Sequence, residues 1–92
     1  MRLADSENIA HELESFLRDA FQIPHDDPRF TRTVRLWEEG YVDSAGVVQT
    51  IAFLEGRFGL TLPDEAIRSP DFSHVDGIAE IVANLLAAGT RC

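Results

Sequence analysis

Residues 38–59 read EEGYVDSAGVVQTIAFLEGRFG, and the fold turns on how this stretch divides. A polar approach ends at Asp43-Ser44, after which Val48, Ile51, Leu54 and Phe58 recur at three- and four-residue spacing, the stripe of an amphipathic helix. Asp43 or Ser44 suits the N-cap, because a side-chain oxygen there accepts a backbone N–H that the first turn leaves unpaired. Gly59 suits the stop, since a residue without Cβ enters the left-handed region without strain. A helix over residues 44–58 is therefore predicted. Gly46 and Gly56 weaken it by about 1 kcal/mol each relative to alanine, so packing must hold it.

Outward from this helix the same spacing returns twice. Upstream, Ile9, Leu13, Phe16, Leu17, Ala20 and Phe21 alternate with charged residues, which predicts a first helix over about 5–22, capped by Asp5 or Ser6. Pro24 disfavours helix at Ile23 and ends it. Downstream, Pro63-Asp64-Glu65 reads as a helical first turn, with room for one short helix over about 63–68 before Ser69-Pro70. Ser73-His74-Val75-Asp76 resembles a cap, and Val75, Ile78, Ile81, Val82, Leu85 and Leu86 predict a last helix over about 74–88. Between helices one and two lies a connection over about 23–43. It is too long to be structureless in a compact domain, so Leu36 and Trp37 are expected to pin it to the core. The fold class is all-α: one domain over residues 1–92, a small bundle of three principal helices plus one short helix.

Ninety-two residues bury one modest core and leave no room for a second domain. Sixteen acids oppose eight cations, every one arginine, for a net charge of −8. Residues 38–80 alone hold nine acids against Arg57 and Arg68, a net of −7. Such a field repels phosphate backbones and anionic lipid and favours basic protein partners, so neither nucleic acid nor membrane is an expected ligand. The lone cysteine, Cys92, excludes an internal disulfide or a thiolate cage and is read as incidental. No apolar run approaches the ~18 residues of a membrane span, and the N-terminus lacks a signal-peptide core. With its own start methionine, the chain is expected to be a free-standing cytoplasmic monomer.

Little here converges for catalysis. His11, His25 and His74 show no spacing for joint metal ligation and are read as solvated, and Asp26-Asp27 lacks the alternating oxygens and glycine of a calcium loop. Ser44 has no histidine nearby and no strand-turn-helix elbow, which argues against a hydrolase. It remains either a helix cap or a serine whose hydroxyl is used, since a helix N-terminus suits an attached phosphate.

LWEEGYVDSAGVVQTIAFLEGRFGLTLPDE, residues 36–65, resembles the central segment of the acyl carrier protein family, which includes peptidyl and aminoacyl carriers. There a D-S pair opens the second helix, an L-E-x-x-F-G ending closes it, and an apolar-x-apolar-P-x-E segment follows. Here these are Asp43-Ser44, residues 54–59 and residues 60–65. The resemblance implies that a separate phosphopantetheinyl transferase joins 4′-phosphopantetheine, taken from coenzyme A, to the Ser44 hydroxyl. The prosthetic thiol then carries an acyl or aminoacyl group as a thioester, loaded by an activating ligase and passed to a downstream transferase. Asp43 flanks the attachment serine, and the chain itself is no enzyme.

The chain departs from the fatty-acid pattern in reading D-S-A where D-S-L is common, and in carrying Gln49, Gly56 and Arg57 where fatty-acid carriers tend to be acidic. L-W-E-E-G-x-x-D-S is more similar to carriers that deliver amino acids or serve specialised pathways, such as D-alanyl carrier proteins. The expected partner surface joins the acids Glu38, Glu39, Asp43 and Glu55 to Ala45, Val47 and Ala52, which lie off the inward stripe, with Phe53 beside them. Val47 and Phe53 would otherwise pack beneath the long loop. The alternative function is an acidic helical interaction module with no prosthetic group.

Overall fold

The computed structural model describes residues 5–89; Met1–Ala4 and Cys92, with the readings that fall on them, lie outside this range. The described chain is all-helical and contains no strand: α1 (Ser6–Ala20), α2 (Ser44–Phe58), the single-turn α3 (Asp64–Ile67), a 3₁₀ turn (Pro70–Ser73) and α4 (Val75–Gly89). In α1, Asp5 is the cap, its carboxylate accepting the Glu7 N–H at 3.1 Å. Ile9, Ala10, Leu13 and Leu17 are buried at helical spacing against Val75, Ile78, Ala79 and Val82 of α4, and these two helices form the main packed pair.

The first helix ends at Ala20 because the backbone turns left-handed at Gln22 (φ 54°), which lets the Ile23 N–H return to the Arg18 carbonyl at 3.0 Å. This is a Schellman closure with glutamine where glycine is the unstrained choice. The long connection that follows is an ordered layer. Ile23, Phe30, Leu36 and Val42 are buried, and Trp37 packs half-buried beside Phe72 and donates its indole N–H to the Phe72 carbonyl at 3.2 Å. The Leu36 N–H reaches Ser73 O at 2.8 Å and the Asp76 N–H reaches Arg32 O at 3.0 Å. Arg32 also spans Glu7 (2.8 Å) and Glu14 (3.3 Å) of α1, and Arg18 donates to Pro24 O at 2.6 Å while lying over the Phe30 ring. The loop's polar backbone is thus satisfied by the helices it crosses.

Helix α2 keeps Leu54 of the stripe read in the sequence in the core and Ile51 and Phe58 against it, but turns Val48 away. Gly46, Thr50 and Leu54 are its buried residues, and Val48 is 66% exposed. The bare Cα of Gly46 sits against Phe21 and Val42, where a Cβ would come within 2.8 Å of the one and 2.5 Å of the other. Thr50 can face the core because its hydroxyl donates to the Gly46 carbonyl at 2.8 Å. Once positions 46, 50 and 54 point inward, position 48 must point out. Ile51 and Phe58 are half-buried, as are Val47 and Phe53; Phe53 stacks on Phe16 of α1 rather than beneath the loop, with ring centroids 4.2 Å apart.

His74 is another correction: it is half-buried and caps α4, its Nδ1 accepting the Gly77 N–H at 2.9 Å. Ser73, the hydroxyl expected in that role, donates instead to Pro70 O at 2.7 Å. Gly77 leaves no space for a side chain, since a Cβ there would collide with the Asp71 carbonyl and the His74 ring.

Candidate functional site

At the head of α2 the two polar residues divide the work. Asp43 is in extended conformation (φ −89°, ψ −176°) and is the cap: its Oδ1 accepts the Gly46 N–H at 2.8 Å, and its carbonyl accepts the Val47 N–H at 2.9 Å. Ser44 is the first helical residue. Its side chain is exposed, and among the described residues its hydroxyl has no hydrogen-bond partner. The backbone N–H groups of Ser44 and Ala45 are likewise unclaimed there, as the geometry of a helix start requires. A hydroxyl beside two free donors, at the positive end of a fifteen-residue helix, can carry a phosphoester with little rearrangement.

The approach to this corner is held firmly. Val42 is buried and its N–H reaches Leu36 O at 3.2 Å; Gly40 (φ 83°) makes the turn before it. The Tyr41 hydroxyl donates to Asp27 Oδ2 at 2.9 Å, and its ring meets Phe30 edge-on, joining the two ends of the long loop. The Arg29 N–H first, and Tyr41 second, hold the Asp27 carboxyl below its ordinary range. Partial burial first, and the bond to Asp27 second, push the Tyr41 phenol above its own.

The residues expected to form a partner surface are dispersed. Glu38, Glu39 and Asp43 are exposed on the approach, with Glu38 3.5 Å from Arg35. Ala45 and Ala52 are exposed on the outer side of α2, while Val47 is half-buried against the core. Glu55 is half-buried and turned to the segment after α2, accepting the Leu62 N–H at 2.9 Å. Val48 occupies the outer side in place of Val47. No local pattern conveys this, because Gly46 and Thr50 make an inward face only through the close approach of Phe21 and Val42 and the bond from the Thr50 hydroxyl to the Gly46 carbonyl.

None of the three histidines reaches Ser44. His11 and His25 are exposed along an open groove over the Phe16–Phe53 stack, and His74 is committed to its cap. Position 53 is nine residues from Ser44, half a revolution away around α2, so that groove opens on the other side of the helix. Among the described residues no group of three or more His, Cys, Asp or Glu is gathered as metal ligands would be, and no helix is long and apolar enough to cross a membrane. Compared with family models, curated proteins and solved structures, the chain matches none.

Proposed function

We propose that this chain is a carrier protein, with 4′-phosphopantetheine attached to Ser44 and an acyl or aminoacyl group held on the prosthetic thiol for delivery between enzymes. The observation that carries this reading is the freedom of Ser44: the cap is made by Asp43, so the neighbouring hydroxyl is exposed and has no structural work among the described residues. In loading, Ser44 Oγ forms the new bond to phosphorus, the nucleotide half of coenzyme A leaves with the electrons of the broken pyrophosphate bond, and the hydroxyl proton passes to a base on a separate transferase. The prosthetic group supplies the thiol that forms the thioester. The chain's own part is to present the hydroxyl, to offer the Ser44 and Ala45 N–H groups to the phosphate, and to hold the approach rigid through Val42 and Tyr41. Its net charge of −8 suits brief, steered encounters with basic surfaces of the transferase, the activating ligase and the acceptor enzyme. The D-S-A departure and the L-W-E-E-G approach favour an aminoacyl or specialised cargo.

Incubation with coenzyme A, magnesium and a broad-specificity phosphopantetheinyl transferase tests the reading. The native chain is expected to gain one phosphopantetheinyl group by intact mass, and Ser44→Ala none. A folded, initially unmodified native chain that gains nothing with several transferases would leave the acidic interaction module as the better account.

A further inference from the structure

The groove over the Phe16–Phe53 stack runs along α1, and its rim carries His11, Ser15 and Asp19, exposed at four-residue spacing on one face of the helix. Asn8 lies before this row, and Gln22 follows it just past the helix end. The other charges of α1 are engaged within the molecule: Glu7 with Arg32, Glu12 with Arg57 and Glu14 with Arg18. Asp19 is thus the one carboxylate of this helix without a partner among the described residues, and the His11 ring has none there either. Gln22 is held in the left-handed region (φ 54°), where glycine is unstrained, and its exposed side-chain amide is likewise unpaired among the described residues. No contact of that side chain within the described chain offsets the strain.

We propose that this groove takes a second copy of the chain, with the two α1 helices antiparallel about a two-fold axis at Ser15, in place of the monomer expected from the sequence. In that register, residues equally spaced on either side of Ser15 face each other. His11 faces Asp19 of the second copy and Asp19 faces its His11, so an imidazole N–H meets a free carboxylate once on each side of the axis. Asn8 meets Gln22 of the second copy, and the small Ser15 side chain at the axis lets the helices approach. The contact also covers the half-buried Phe16 and Phe53 rings. Charge selects this occupant. At a net −8 a second copy is repelled by most of the surface, but along α1 three of the eight arginines hold three glutamates, so like molecules meet here with least repulsion. The groove opens on the side of α2 away from Ser44, so both serines stay outside the contact and the pairing stands apart from the carrier reading.

Sedimentation equilibrium of the full chain, with Cys92 kept reduced, tests the pairing. The native chain is expected to pass from monomer toward dimer between about 10 µM and about 1 mM, the weak range of a small polar contact. His11→Asp sets two carboxylates together on each side of the axis, Asp19→His removes the carboxylate from both pairs, and each is expected to weaken the dimer about tenfold or more. The double variant His11→Asp, Asp19→His keeps the net charge and exchanges the ends of each pair, and is expected to return to within about threefold of the native chain. A mixture of the two single variants is expected to form a mixed dimer more tightly than either forms alone. Gln22→Gly is expected to unfold at higher urea than the native chain and yet to weaken the dimer about threefold, which loss of fold cannot produce. Asn84→Asp, exposed on α4 beside Ser6, is expected to change association by less than about twofold. A native chain that stays monomeric to about 1 mM, a double variant as weak as the single ones, or a mixture that gains nothing would overturn the second copy as the occupant of the groove. Each of these outcomes leaves Ser44 loading, read separately by intact mass, where it stands.

Discussion

Asp43 and Ser44 are adjacent and equally fit by type to cap a helix, yet only Asp43 bonds the Gly46 N–H. Asp43→Ala is accordingly expected to cost about 1 kcal/mol in urea unfolding, and Ser44→Ala to stay within about 0.5 kcal/mol of the native chain. Equal losses at the two positions would return the serine to a structural role. The two glycines of α2 separate in the same way. A methyl at Gly56 meets nothing within 4 Å, so Gly56→Ala is expected to stabilise by up to about 1 kcal/mol. At Gly46 the same methyl strikes Val42 and Phe21, and Gly46→Ala is expected to destabilise despite its better helix propensity. Gln22→Gly should raise stability by about 1 kcal/mol by relieving the left-handed strain at the end of α1.

Among the elements, the long loop departs furthest from what spacing could convey. Periodicity identified α1 and α4, whose buried residues recur at helical spacing, and Leu36 and Trp37 signalled that the loop was tied down. Its partners were not legible: Arg32 reaching two glutamates of α1, or Trp37 reaching Phe72 O across 35 positions, depend on contacts that no local pattern encodes. The inward face of α2 was misread for a related reason. Hydrophobicity favoured Val48 for the core, but a glycine that admits a phenylalanine and a threonine that satisfies its own hydroxyl set the inward face on positions 46, 50 and 54 and left Val48 outside it. At the site, the free serine was legible as a possibility, and only the geometry of Asp43 decided which residue caps.

The Tyr41–Asp27 clasp gives this loop a pH signature. Asp27, its carboxyl held low, stabilises the fold while ionised: that contribution is complete above the ordinary carboxylate range and lost as pH falls through the lowered value. Tyr41, its phenol held high, stabilises while protonated: its contribution is present below the ordinary phenol range and lost as pH rises through the raised value. The clasp therefore acts fully between about pH 5 and pH 9. Tyr41→Phe is expected to lower stability within that window and to shrink the difference from the native chain at both extremes, as followed by urea titrations across pH. A difference independent of pH would show that the hydrogen bond contributes nothing.

For the whole molecule, the packing and the chemistry are kept apart. α1, α4 and the loop between α1 and α2 make the core, and α2 joins it through Gly46, Thr50, Leu54 and the Phe16–Phe53 stack, leaving its head and outer side to the solvent. On the carrier function proposed above, a chain built this way would hold a reactive arm and leave the reaction to partner enzymes. The absence of lysine makes that claim easy to locate. Trypsin releases Leu36–Arg57 as one peptide, in which Ser44 is the only serine and Thr50 and Tyr41 are the only other hydroxyls. The most direct measurement is fragmentation of this peptide after incubation with coenzyme A and the transferase. The phosphopantetheinyl mass is expected on this peptide alone and on Ser44 alone; an unmodified peptide from folded protein, or the group on any other residue, would contradict the carrier function.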